Sequence, residues 1–413
     1  MRSALVNGRI LTDGAAVSAT GMPGGLGLAG ATAMAGGLGP SGAASGAGIV
    51  SGRTLLLSGT RIEALVDPGD PRCAGAASVD LEGRLLLPGF IDVQVNGGGG
   101  VLFNDDPTPE AIHAIGAAHR RFGTTGFLPT LISEDFATIG RAIAAVQASL
   151  DAGMPGVLGI HIEGPFLNWA RRGVHDSKHL RVLDSSQVSL LARLRRGRTV
   201  LTLAPEMTTP EIIAGLTAAG ILVSAGHSDA SFAQTTAAIA HGVRGFTHLF
   251  NAMARLEPRE PGIVGAALDD QNTWCGIIVD GHHVDPVVLK LALRCKRHDR
   301  FMLVTDAMPA VGSADPSFVL QGRTIQVVDG ICRDENGTLA GTALDMAAAV
   351  RNAVSLLGLD IVEAARMASE YPAEFLGLGH ELGRIAPGYR ANLVLLDDEF
   401  RVRKTWIEGA ASL

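Results

Sequence analysis

Between Leu85 and Gly379, short apolar runs rich in β-branched residues alternate with stretches of helical character. No other feature of the chain limits its fold as strongly. The strand-like runs are Leu85–Val95, Phe127–Leu131, Val157–Glu163, Val200–Leu203, Ile221–Ser224, Gly245–His248, Gly276–Val279 and Phe301–Thr305. The helical stretches between them are Pro109–Phe122, Glu134–Leu150, Gln187–Leu194, Pro210–Ala219, Ser231–Ala240 and Pro286–Arg297. Thr108 and Asp285 each precede a proline, the pairing of an N-cap oxygen with a first helical residue that needs no N–H. Strand and helix alternating in this way predict an α/β fold, a (β/α)8 barrel. A doubly wound open sheet is the rival, but no G-x-G-x-x-G opens a helix after a strand.

The two ends of the chain read differently. Ala4–Leu11, Thr54–Leu57, Arg61–Val66, Asn392–Leu396 and Thr405–Ile407 are strand-like pieces bounded by turn pairs such as Asn7-Gly8, Ser58-Gly59 and Pro387-Gly388. They predict a small β-sandwich built from residues 1–87 and 386–413, flanking a barrel over 88–385. Gly14–Gly52 contains no Asp, Glu, Lys or Arg, yet 13 of its residues are glycine. So much glycine with so few large apolar side chains argues against a spanning helix and for a flexible insertion.

The net charge of −7 excludes a basic, non-specific nucleic-acid or membrane binder. Cys73, Cys275, Cys295 and Cys332 form no C-x-x-C pair, which excludes a disulfide scaffold or a zinc finger and fits a reducing compartment, the cytoplasm.

A barrel enzyme works at the C-terminal ends of its strands. Four runs end in a group able to bind a metal or move a proton: GIHIE at Glu163, ILVSAGH at His227, RGFTH at His248 and FMLVTD at Asp306. Singly, such a carboxylate is more often a helix cap and such a histidine a core residue. Together on separate strands they point to a catalytic metal site with an open position. A divalent ion there lowers the pKa of bound water to about 7, and a neighbouring aspartate can take and return the proton.

LLPGFIDVQVNGGGG, HIEGPFLN, RRGVHD, LAPEM, SAGHSDA, THLFNAM, REPG, DGHHVD, VTDAM and LAGTALDM follow one another along the chain. In these motifs the sequence resembles the amidohydrolase superfamily and, within it, the N-acetylglucosamine-6-phosphate deacetylases. The resemblance implies that Glu163, His227 and His248 bind one metal ion, zinc first, with iron, manganese or cobalt as alternatives. It implies Asp306 as general base and acid, and His175 as a donor to the oxyanion; a loop histidine beside Asp176 is the plainer reading of the latter. It places Arg259 with the backbone of Asn251 and Ala252 at the phosphate, and Val174, His283, Leu339, Ala340 and Gly341 against the sugar. It also implies a homodimer in which Arg259 reaches the neighbouring subunit's site, whereas pairing with Glu257 or Glu260 is the local alternative. Either His282 or His283 is the spacer in DGHHVD. His113, His119, His179, His241, His298 and His380 read as solvated.

One departure from the superfamily pattern concerns the first strand, where the usual H-x-H is Gln94-Val95-Asn96. Neutral amides are poor zinc ligands, so a single ion is expected. The rival activities are deacetylation of N-acetylgalactosamine 6-phosphate, cyclic-amide hydrolysis, and a non-catalytic binding module on the same fold.

Overall fold

A computed structural model describes residues 2–13 and 48–412. Eight parallel strands run in chain order around a barrel: Phe90–Val95, Thr124–Ile132, Gly159–Glu163, Arg198–Leu203, Leu222–Ala225, Val243–Phe246, Trp274–Ile277 and Phe301–Leu303. The ring is joined beyond the last strand, where Ala307 bridges to Val95 and its carbonyl accepts the N–H groups of Asn96 and Gly97, both at 2.9 Å. The strands are buried on both faces, as a parallel sheet wrapped in helices requires. The (β/α)8 expectation is met.

Two further sheets hold the terminal segments. Arg61–Val66, Thr54–Ser58, Arg2–Val6 and Ala77–Asp80 form one; Ala410–Ala411, Val402–Ile407, Leu393–Leu396, Leu85–Pro88, Arg9–Thr12 and Gly48–Val50 form the other. Leu5, Leu55, Leu57 and Ile62 of the first pack against Ile10, Leu86, Leu393, Leu395 and Trp406 of the second.

Three boundaries differ from expectation. Ala4–Leu11 is two strands in different sheets, because Asn7 takes a positive φ of 54° and turns the chain. Leu85–Val95 also divides, at Gly89: its first half belongs to the terminal sheet and its second to the barrel. A Cβ on Gly89 would lie 2.2 Å from the Thr125 hydroxyl, so only glycine lets the chain pass there. Within the charge-free stretch, Gly48–Val50 is a strand on Arg9–Thr12, with Val50 opposite Ile10, rather than part of a flexible insertion. Residues 14–47 of that stretch lie outside the described residues.

The eighth barrel strand is followed by a four-stranded antiparallel meander, Ser317–Leu320, Arg323–Val328, Ile331–Arg333 and Leu339–Thr342. Its apolar face, Leu320, Ile325, Cys332 and Ala340, covers Leu102, Ile132 and Met308 at the barrel mouth. His119, expected in solvent, is fully buried. It shares a helix face with Ile112 and Ile115, and its Nε2 lies 2.9 Å from the Gly97 carbonyl. Burial holds this imidazole down to about 4.

Candidate active site

Glu163 ends its strand, His227 and His248 each follow theirs by two residues, and Asp306 follows the last by three. All four point into one buried centre. Glu163 Oε1 lies 2.9 Å from His227 Nε2 and 3.0 Å from His248 Nε2, and the two imidazole nitrogens are 3.0 Å apart. His227, His248 and Asp306 sit at positive φ (49°, 33° and 53°), a left-handed backbone that non-glycine residues adopt at a cost and that gathers at functional sites.

The tautomer of His227 is fixed by its surroundings. Its Nδ1 is 2.9 Å from the Arg171 carbonyl, which can only accept, so Nδ1 carries the proton and Nε2 presents a lone pair. A carboxylate oxygen and two imidazole nitrogens thus converge, and this donor set suits a divalent cation. Burial works against an ionised Glu163, but the two imidazoles packed against it, His227 and His248, outweigh it and hold the carboxyl well below its usual range.

His175 is also within ligand reach of Glu163 and His227. Its tautomer is the opposite one. The Ser133 N–H, which can only donate, meets His175 Nδ1 at 3.3 Å, and the Ser133 hydroxyl is 2.8 Å from the same atom. Nδ1 therefore accepts and Nε2 carries the hydrogen. Burial, then the neighbouring His227, pushes this imidazole down to about 3, so it is neutral at pH 7. A ring in this tautomer offers a hydrogen bond from Nε2 rather than a lone pair.

Asp306 accepts two amide N–H groups on one oxygen. Asn96 Nδ2 lies 2.6 Å and Gln94 Nε2 3.1 Å from Oδ1, and Gln94 Nε2 is also 3.2 Å from Glu163 Oε2. The amides that replace H-x-H thus act as donors to carboxylates. Burial and the charge of Glu163 raise the Asp306 carboxyl to about 6.

These groups open onto a cavity of about 380 Å3. Val174, Asn251, Ala252, His283, Leu339 and Gly341 line it. His283 lines the cavity and is held by its Nδ1, 2.6 Å from Asp280 Oδ2, whereas His282 is exposed. Ala340 does not line the cavity. Strand alternation turns its side chain away, into the apolar cluster with Leu320 and Ile325. Arg259 is exposed and does not line the cavity either. Nor does it pair with Glu260, whose carboxylate instead accepts the N–H groups of Phe232 and Gly262.

Residues 85–411 match the family model described as Amidohydrolase family. The chain belongs to the amidohydrolase family. A relative from Shewanella sp. (strain ANA-3), an N-acetylgalactosamine-6-phosphate deacetylase, is 47% identical over 78% of this chain and 82% of its own. An N-acetylglucosamine-6-phosphate deacetylase of Haemophilus influenzae is 35% identical over 86% and 93%. The crystal structure of N-acetylglucosamine-6-phosphate deacetylase from Pasteurella multocida superposes with a TM-score of 0.88 at 34% identity, covering both chains fully.

Two residues of this amidohydrolase site escaped the sequence reading. Ser133 stands one residue beyond the Thr124–Ile132 strand, so the strand-end rule could have found it had hydroxyl groups been included. Arg171, in the RRGVHD motif, offers its carbonyl to His227 and pairs through its side chain with Asp229 at 2.8 Å; no sequence pattern announces a backbone acceptor.

Proposed function

We propose that this amidohydrolase removes the N-acetyl group of N-acetyl-D-glucosamine 6-phosphate, giving D-glucosamine 6-phosphate and acetate. The observation that carries this reading is the convergence of Glu163, His227 and His248 beside a twice-donated Asp306, in a chain whose relatives deacetylate amino-sugar phosphates. Glu163, His227 and His248 would hold one divalent ion. When bound, such an ion polarises an amide carbonyl and makes water acidic enough to attack near neutral pH.

The chain's own residues supply the rest. Asp306 has Oδ1 fixed by Asn96 and Gln94, which leaves Oδ2 to take a proton from the attacking water and return it to the departing amine. His175 directs Nε2–H at the acetamide oxygen as negative charge gathers there. Asn251 and Ala252 line the cavity from a loop with positive φ at His248, Phe250 and Ala252, and the backbone there would meet the phosphate. Val174, His283, Leu339 and Gly341 would contact the sugar. Arg259, exposed in its own chain, would complete the phosphate site of a second copy in a homodimer.

A second reading, deacetylation of N-acetylgalactosamine 6-phosphate, is favoured by the 47% identity to the Shewanella enzyme. Turnover of both phosphorylated sugars and of plain N-acetylglucosamine, with and without chelator, tests both readings. Chelator-sensitive acetate release from a phosphorylated sugar supports the reaction, and the preferred epimer selects between the readings. Equal rates on plain and phosphorylated sugar would remove the phosphate contacts.

A further inference from the structure

We propose that Gln321 is a positioning residue for His175, acting from the tip of the hairpin formed by Ser317–Leu320 and Arg323–Val328. The inference rests on the role given to His175 above. Leu320 pairs with Arg323, so Gln321 and Gly322 form a two-residue turn, with φ of 48° and 81°. Such a turn favours Asn-Gly or Gly-Gly, and a long side chain at its first position needs another reason.

The carboxamide supplies that reason. Its Oε1 accepts the Asp176 N–H at 2.7 Å, and its Nε2 donates to the Ser133 carbonyl at 3.0 Å. An N–H can only donate and a carbonyl only accept, so the amide has one possible orientation. Its two partners bracket the catalytic histidine: Asp176 follows His175 in the chain, and Ser133 holds His175 Nδ1 through its N–H and hydroxyl. One side chain from the meander therefore spans both segments that aim the His175 ring, and ties that aim to the element covering the barrel mouth.

The test compares the holoenzyme with Gln321→Met, which keeps length but loses both hydrogen bonds, with Gln321→Ala, with His175→Asn and with the double variant Gln321→Met/His175→Asn. The expected result for Gln321→Met is a kcat about tenfold lower with KM and metal content unchanged, as for groups that orient catalytic side chains. Gln321→Ala should lose at least as much. In the His175→Asn background, Gln321→Met should add less than about twofold, because both changes disable one device. Multiplying losses, a loss confined to KM, a loss of metal, or wild-type kcat in Gln321→Met would each overturn the assignment while leaving His175 in place. Wild-type kcat in His175→Asn would instead remove the role of His175, and that of Gln321 with it.

Discussion

His227 and His175 carry the same side chain and face the same centre, yet each is committed to a different task by what meets its Nδ1. A carbonyl at that atom leaves Nε2 with a free lone pair in His227, and an N–H leaves Nε2 as a donor in His175. His175→Asn should therefore lower kcat about 100-fold while the metal stays bound, which steady-state kinetics and metal analysis would show. Asp306 is a base only when ionised. With its carboxyl raised to about 6, first by burial and then by Glu163, kcat/KM should fall as pH drops through that value and be level above it. Removing the Asn96 donor, which favours the ionised form, should move the acid limb of that profile to higher pH in Asn96→Ala. Glu163, His227, His248 and Asp306 were legible because a barrel delivers strand ends to one place, so position along a strand already stands for position in space. The tautomers were not: they depend on Arg171 and Ser133, whose backbone atoms say nothing in sequence.

At the scale of elements, the barrel strands announce themselves as apolar runs because both their faces are buried, and their limits agree with the sequence to within a few residues. The failures have physical causes. The Gly262–Asp269 helix, GIVGAALD, is buried almost all round and so shows no polar face to mark its period. The Ser317–Thr342 meander has exposed positions and short strands, and long-range contacts such as those of Ala340 with Ile132 and Met308 give it its place. The break at Gly89 lies inside a continuous apolar run, where composition cannot show that one sheet ends and another begins. Gly89→Ala should force Thr125 aside, cost about 1–3 kcal/mol and lower the melting temperature by a few degrees, measurable by calorimetry.

The whole molecule joins a barrel to a pair of sheets, and among the described residues no helix is long and apolar enough to cross a membrane. The barrel was predictable from the order of its elements. A place for Arg259 in a second copy came from the family resemblance alone, since the order of elements says nothing of what lies across an interface. The proposed exchange of Arg259 between copies has a direct check. Arg259→Ala and Asp306→Asn chains, each inactive alone, should on co-expression recover about a quarter of wild-type activity, because half the dimers are mixed and each mixed dimer has one intact site. Recovery of none would place Arg259 outside the neighbour's site.

Leu85–Pro88 sits in its sheet between Arg9–Thr12 and Leu393–Leu396, partners that lie at opposite ends of the chain. On the ribosome, the later partner emerges roughly 300 residues after Pro88, a delay of about 15–60 s at ordinary elongation rates of about 5–20 residues per second. Throughout that interval the nascent chain carries an open, leucine-rich edge able to pair with the wrong strand. A translation product that stops short of Leu393 would keep that edge for good, and should be an aggregating or chaperone-held species even though its barrel is complete.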